Sequence, residues 1–338
     1  MAGDLARVRD VAPPALAVSG VHVRSGPSST STGAVLLDGL DLTVRAGEVL
    51  AVVGRRGAGT STLLSVLSGG ARPTRGAVRV LGRDPAAEAD VATLPAHAAL
   101  FDHLTVEETL SLWASLSAGL RSRTGADTDD LLDLAALTGS RQVLVRDLDH
   151  GDRQRLQLAA TFAGGAPVVV CDEPVGGSAP GTARALAALL RRHRADGGTA
   201  VVAGGRPEVL ETVDGAELLA ACDRVAVLRR GRLVAVASAA ELVDRFAVHG
   251  GVTALVHDAA EASSLAATLP GATFQRVGEL TRVDVPDVAP ERWRSATAGM
   301  RALVEVRHHD ATLADAVRRA TADRRRVDLR PDDQRCRP

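Results

Sequence analysis

Short apolar runs, some alternating and some continuous, are broken by glycine-rich or small-polar turns and separated by stretches of helical period. Ala15–Val23 and Ala34–Val44 predict two strands, with the small-polar loop 26–33 between them. Gly47–Val53 predicts a third, wholly apolar strand that runs into a glycine-rich turn and a helix over Ser61–Leu67. Val78–Leu81 predicts a short strand. Residues 104–137 predict mostly helix, with Leu104, Leu110, Leu112, Leu116 and Leu120 as apolar points. A helix over Arg153–Phe162 leads into a buried strand, Pro167–Cys171. Thr182–Arg194 predicts an amphipathic helix, and Ala200–Ala203 and Arg224–Leu228 predict strands. Apolar strands alternating with helices predict an α/β domain with a mainly parallel sheet.

Gly250-Gly251 marks a boundary. Beyond it the pattern reads strand (252–257), helix (259–268), strand (273–277), strand (281–285), helix (290–299), strand (302–306) and helix (312–322). That order predicts a small α+β domain of ferredoxin-like type. The predicted organisation is a flexible N-terminal arm (1–14), a core domain (15–245), the α+β domain (250–322) and a tail (324–338). The tail carries Arg324-Arg325-Arg326 and several aspartates, and reads as solvated and disordered.

Composition narrows the class. With 338 residues, 46% of them hydrophobic, the chain has ample material for a core domain plus an appendage. A formal net charge of -1 gives no pointer to nucleic acid. No apolar run approaches the ~18 to 20 residues of a membrane span. The N-terminus has no apolar signal core. The expectation is a cytoplasmic chain that meets a membrane only through a partner. Cys171, Cys222 and Cys336 show no paired or metal-ligand spacing. All 40 basic residues are arginine, and Lys, Asn, Ile and Tyr are absent. Those four have AT-rich codons, so a GC-rich coding sequence accounts for the absence. Any site that needs lysine or tyrosine nevertheless goes without.

The candidate chemistry begins at the third strand. GRRGAGTST (54–62) lies between strand and helix. Gly54, Gly57 and Gly59, with Ala58 between them, suit a loop whose backbone N–H groups turn toward an anion at a helix N-terminus. The phosphate-loop pattern places lysine after the last glycine, followed by Ser or Thr. Here Thr60 takes the lysine position, Ser61 the Mg²⁺-binding hydroxyl position, and Thr62 follows. Alone, such a loop is equally a tight turn. Further on, VVVCDEP (168–174) is an apolar strand ending in Asp172-Glu173-Pro174. Asp172 suits a Mg²⁺ shell and Glu173 a base that polarises water. The plainer alternative is a strand-end turn.

LFDHLTVEETL (100–110), LDHGDRQRLQLA (148–159), VVVCDEP (168–174) and CDRVAVLRRGRLVA (222–235) stand in that order. With the loop, they resemble the ATP-binding subunits of ABC transporters over roughly 15–245. The layout of 250–322 resembles the accessory domain of the daunorubicin-resistance type of exporter subunit. The resemblance implies a P-loop NTPase-like core with a helical subdomain. It also implies ATP and Mg²⁺ as cofactors, a membrane permease as partner, and a homo- or heterodimer that sandwiches ATP between two subunits. The chain would then lie at the inner face of the cell membrane.

On that template several functional residues are replaced. The adenine-stacking aromatic falls at Ser25 and the phosphate-loop lysine at Thr60. The glutamine linking Mg²⁺ to the membrane partner falls at Ala96. The signature motif reads Leu148-Asp149-His150-Gly151-Asp152. The D-loop aspartate falls at Ala179 and the switch histidine at Gly205. Glu173, the expected catalytic base, remains, as do Asp172 and Ser61 for the metal. Losing the lysine's charge-assisted contact costs ~1.5 to 3 kcal/mol. An aspartate ~4 Å from a phosphate charge adds about 1 kcal/mol of repulsion in water, or about 4 kcal/mol at an effective dielectric of about 20. The expectation is therefore weak ATP binding and impaired or absent hydrolysis, with a structural or regulatory role. Two alternatives stay open: an active Mg²⁺-ATPase in which Arg55 or Arg56 replaces the lysine, and a soluble binding protein that kept only the fold.

Overall fold

A computed structural model describes residues 13–26, 33–88, 90–94, 100–118, 127–175, 181–204, 213–246, 250–269, 271–286 and 288–322. The chain divides into two compact units, Met1–Val236 and Ala237–Pro338.

The first unit holds two sheets. Strands β1 (Leu16–Arg24), β2 (Val35–Val44) and β4 (Arg75–Val80) form an antiparallel sheet in the order β2-β1-β4. The second sheet contains β3 (Val49–Gly54), β5 (Val91–Leu94), β6 (Val168–Asp172), β7 (Thr199–Gly204), β8 (Arg224–Arg229) and β9 (Arg232–Ala237), in the order β5-β6-β7-β3-β8-β9. Neighbours from β5 to β8 are parallel. The helices are α1 (Thr60–Leu67), α2 (Pro85–Glu88), α3 (Val106–Ala118), α4 (Thr128–Leu134), α5 (His150–Ala163), α6 (Thr182–Ala195) and α7 (Val213–Ala220).

The larger sheet explains why its strands read as continuous apolar runs. Both of its faces are covered. Val169, Cys171, Ala200 and Val202 join a core with α3, α4, α5 and α6. Their alternate neighbours Val168, Val170, Val201 and Ala203 join a second core. There Leu50 and Val52 of β3 and Leu63 and Leu67 of α1 meet the antiparallel sheet through Leu16 and Leu37. The mixed α/β architecture expected from the sequence is thus the one observed. In the helical stretch, only part of the apolar series is internal: Leu110 is fully buried, whereas Leu116 is 54% exposed.

The second unit contains α8 (Ala239–Phe246), β10 (Val252–Val256), α9 (Ala259–Thr268), β11 (Thr273–Val277), β12 (Leu280–Val285), α10 (Pro290–Thr297), β13 (Leu303–His308) and α11 (Leu313–Thr321). The strand order is β11-β12-β10-β13 with every pair antiparallel, as the split β-α-β arrangement requires. Trp293 of α10 and Leu265 of α9 pack on Val252, Ala254 and Val283. Asp258 caps α9, and Thr312 with Asp315 forms a capping box on α11. Helix α8 packs against α11 within this unit.

Candidate functional site

The site is built around the turn from β3 to α1. Gly54 ends β3 in a tight space. A Cβ there would lie 2.6 Å from the Ala58 Cβ and 2.8 Å from the Leu228 carbonyl oxygen. Gly57 and Gly59 have φ of +80° and +102°, backbone that glycine adopts at little cost. Ala58 is buried, and its carbonyl oxygen accepts the Gly231 N–H at 2.8 Å. Gly231 belongs to the two-residue turn Arg230-Gly231 between β8 and β9, both at positive φ. The neighbouring strands therefore hold the loop's shape.

Gly59 is the N-cap of α1 and provides no side-chain cap. The first-turn N–H groups, those of Thr60, Ser61 and Thr62, have no partner within the helix by its geometry. An uncapped N-terminus behind a positive-φ glycine loop suits an anion. Arg55 and Arg56 are exposed, and the first helical residue, Thr60, carries no charge.

Helix α1 also reaches β6, two places from β3 in the sheet. There the Ser61 Oγ donates to Asp172 Oδ1 at 3.2 Å, across 111 residues of chain. Partial burial pushes the Asp172 carboxyl above its ordinary range. The Ser61 hydroxyl opposes that shift, and the charge of Glu173 adds to it. An ionised carboxylate here is unfavourable to the fold, and a bound cation relieves that cost. Hydroxyl and carboxylate are the hard oxygen donors that Mg²⁺ accepts together with waters and substrate phosphates. No group of three or more His, Cys, Asp or Glu side chains among the described residues could hold a metal ion. Ser61 and Asp172 supply two such donors, so a Mg²⁺ held here would take the rest of its shell from waters and a phosphate ligand.

Glu173 is exposed and sits at φ +47°, a conformation side chains rarely adopt. Its N–H donates to the Ala203 carbonyl oxygen of β7 at 2.9 Å, which fixes the turn. The next carbonyl, that of Pro174, accepts Gln154 Nε2 of α5 at 3.4 Å.

The remaining sequence-identified positions fall as follows. The Ser25 Oγ accepts the Ala34 N–H at 2.9 Å, closing the β1–β2 connection. Asp149 is the N-cap of α5, and its carboxylate accepts the Asp152 N–H at 2.7 Å. His150 is the exposed first residue of that helix. Asp152 accepts the Ser140 hydroxyl at 2.8 Å and pairs with Arg155. Both carboxylates of the segment thus serve local structure. Asp149→Ala is expected to lower stability by ~0.5 to 2 kcal/mol, whereas Asp149→Ser, which keeps a capping oxygen, stays close to wild type. Urea denaturation of the two variants checks this. Ala96, Ala179 and Gly205 lie outside the described residues, as do residues 1–12 of the arm and the whole tail 324–338.

One feature had no motif to announce it. A cavity of about 450 Å³ borders the loop, lined by Val23 and Arg24 of β1, Ser61, Thr62 and Ser65 of α1, and Arg72 beyond that helix.

Residues 37–176 match the family model described as ABC transporter. The human phospholipid-transporting ATPase ABCA7 is 36% identical over 66% of this chain, which spans 10% of that protein. The sulfate/thiosulfate import ATP-binding protein CysA of Mycobacterium bovis is 32% identical over 62% of this chain and 59% of that one. Among solved structures, the ATP-binding subunit of an ABC transporter superposes with a TM-score of 0.54 at 23% identity, covering 68% of this chain and 92% of that one. A cassette in a dimeric post-hydrolysis state bound to ADP and phosphate gives 0.53 at 17% identity, covering 66% and 98%. Both share the fold.

Proposed function

We propose that this chain, which carries an ABC-transporter ATP-binding domain, serves a membrane transporter as a cassette subunit with weak ATP binding and impaired or absent hydrolysis. Its contribution is structural or regulatory. The observation that carries this reading is Thr60. It is the first residue of α1, at the position where a fixed cation would meet the terminal phosphates, and no lysine exists anywhere in the chain. The glycine loop and the Ser61–Asp172 pair keep the backbone cradle and the metal-binding oxygens. What is missing is positive charge, the component that stabilises a phosphoryl-transfer transition state most.

The partners in this reading are a membrane permease and a second cassette, identical or different. The solved cassette in a dimeric state supports the pairing. In this reading the chain attaches to the inner face of the membrane through the permease; no helix of the described residues is long and apolar enough to cross a membrane. The layout of the β10–β13 unit is the one feature in this reading that points to export.

A second reading, an active Mg²⁺-ATPase subunit, draws on a different observation. Ser61 and Asp172 already stand together, with Glu173 exposed beside them. The two readings separate in a hydrolysis assay of the purified chain with Mg²⁺-ATP beside its Glu173→Gln variant. Equal rates at background are expected. Wild-type turnover that Glu173→Gln abolishes would establish the active enzyme instead.

A further inference from the structure

The cavity beside the loop shares two residues with the anion site. Ser61 and Thr62 belong both to the first turn of α1 and to the cavity wall. A ligand whose phosphates rest on that helix terminus therefore extends its remainder into this space. The volume, about 450 Å³, lies within the ~300 to 1,000 Å³ of small-molecule sites.

The wall has an unusual composition for a base-binding site. It contains no aromatic ring, and Ser25, at the adjoining end of β1, offers none. Val23 provides apolar surface, and two arginines, Arg24 and Arg72, are among the residues that line the space. The two differ in their engagement. The Arg24 Nη1 donates to the Gly33 carbonyl oxygen at 3.2 Å, which ties it to the β1–β2 connection. Arg72 is exposed and makes no hydrogen bond or ion pair with any other described residue. A guanidinium is flat, delocalised and weakly hydrated. It stacks on π faces, as a lysine ammonium does not.

We propose that Arg72 is the nucleobase-stacking residue of this site: its guanidinium plane covers a purine base in the cavity, in place of an aromatic side chain. The proposal rests on the nucleotide-binding reading above and specifies how the part of the ligand beyond the phosphates is held. Arg72 lies five residues beyond the end of α1, and Thr74 is anchored twice to the His22 carbonyl oxygen of β1, by its N–H at 2.7 Å and its Oγ1 at 2.8 Å. The short segment bearing Arg72 is thereby held beside the end of β1, which keeps its backbone at the cavity wall.

The test uses two ligands, Mg²⁺-ATP and Mg²⁺-tripolyphosphate, titrated calorimetrically into the full chain and its Arg72→Ala and Arg72→Trp variants. Tripolyphosphate has the charge without the base. Arg72→Ala is expected to weaken ATP binding about three- to tenfold and to leave tripolyphosphate binding unchanged. Arg72→Trp, which provides a plane without charge, is expected to keep wild-type affinity for ATP. Equal weakening of both ligands by Arg72→Ala would make Arg72 a phosphate contact and overturn the proposal. So would an unchanged ATP affinity in Arg72→Ala, or an Arg72→Trp variant as weak as Arg72→Ala. If the wild type binds tripolyphosphate as well as ATP, the base is not recognised: the inference fails while the anion site stands. If the wild type binds neither ligand, both the inference and the nucleotide-binding reading fail.

Discussion

Thr60→Lys is expected to tighten Mg²⁺-ATP binding by roughly ten- to a hundredfold. The figure follows from the ~1.5 to 3 kcal/mol of a hydrogen bond to a charged group. The side chain it replaces is small and partly exposed, at the first residue of α1. A longer chain therefore grows toward solvent rather than into the core. The scaffold around it is already present: Gly57 and Gly59 at positive φ, an uncapped helix terminus, and the Ser61–Asp172 pair. Lysine would add only the charge, so its effect reads the charge deficit directly. Fluorescent-nucleotide titration of the two proteins measures it. An affinity that does not change would mean that the loop does not hold phosphates, or that Arg55 or Arg56 already neutralises them.

The second large effect is on the loop itself. Gly59→Ala is expected to destabilise the first unit by about 2 to 5 kcal/mol and to abolish nucleotide binding. Two costs combine. A side chain at φ +102° meets the steric penalty of left-handed backbone, ~1 to 2 kcal/mol. Its Cβ would also stand 2.7 Å from the Leu36 carbonyl oxygen and 2.9 Å from Leu37 Cδ2, an overpacking cost of about 1 to 3 kcal/mol. Leu37 is fully buried, and the Leu36 oxygen is backbone, so neither yields cheaply. Gly57→Ala is the internal control. Its φ is +80°, but a Cβ there meets nothing within 4 Å, so only the backbone penalty remains, about 1 to 2 kcal/mol. Denaturation curves of both variants against wild type decide it. Equal losses would show that contact with Leu36 and Leu37 contributes nothing.

Most strands of the first unit were legible because both faces of the larger sheet are buried. A strand such as β6, with Val168–Cys171 buried throughout, has no polar position to blur it. The elements that escaped notice are those without that property. Strand β5 is four residues long, and only Leu94 is buried. Strand β9 begins at exposed Arg232 and has one buried residue, Ala235. Helix α8 buries only Leu242 and Phe246. Each is held by a neighbour rather than announced by its own pattern. The same holds at the site. Asp149 reads from sequence as a charge placed against a ligand, yet its carboxylate accepts an N–H of its own helix. A short acidic side chain before a helix has two uses, and linear order does not say which one the fold adopts.

The amino-acid sequence by itself determined the α/β architecture, the glycine spacing of the loop and the absence of a lysine charge after it. Those features are local: periodicity, turn chemistry and residue identity require no knowledge of what lies nearby in space. Only the tertiary structure decided which distant residues meet. It set Ser61 against Asp172 by placing β6 within reach of α1, and locked Gly59 against Leu36 and Leu37 of β2. It also left Arg72 unpaired among the described residues, on the wall of a cavity shared with α1. Strand order and packing fix such encounters, and a single side chain's place in the chain carries no record of them.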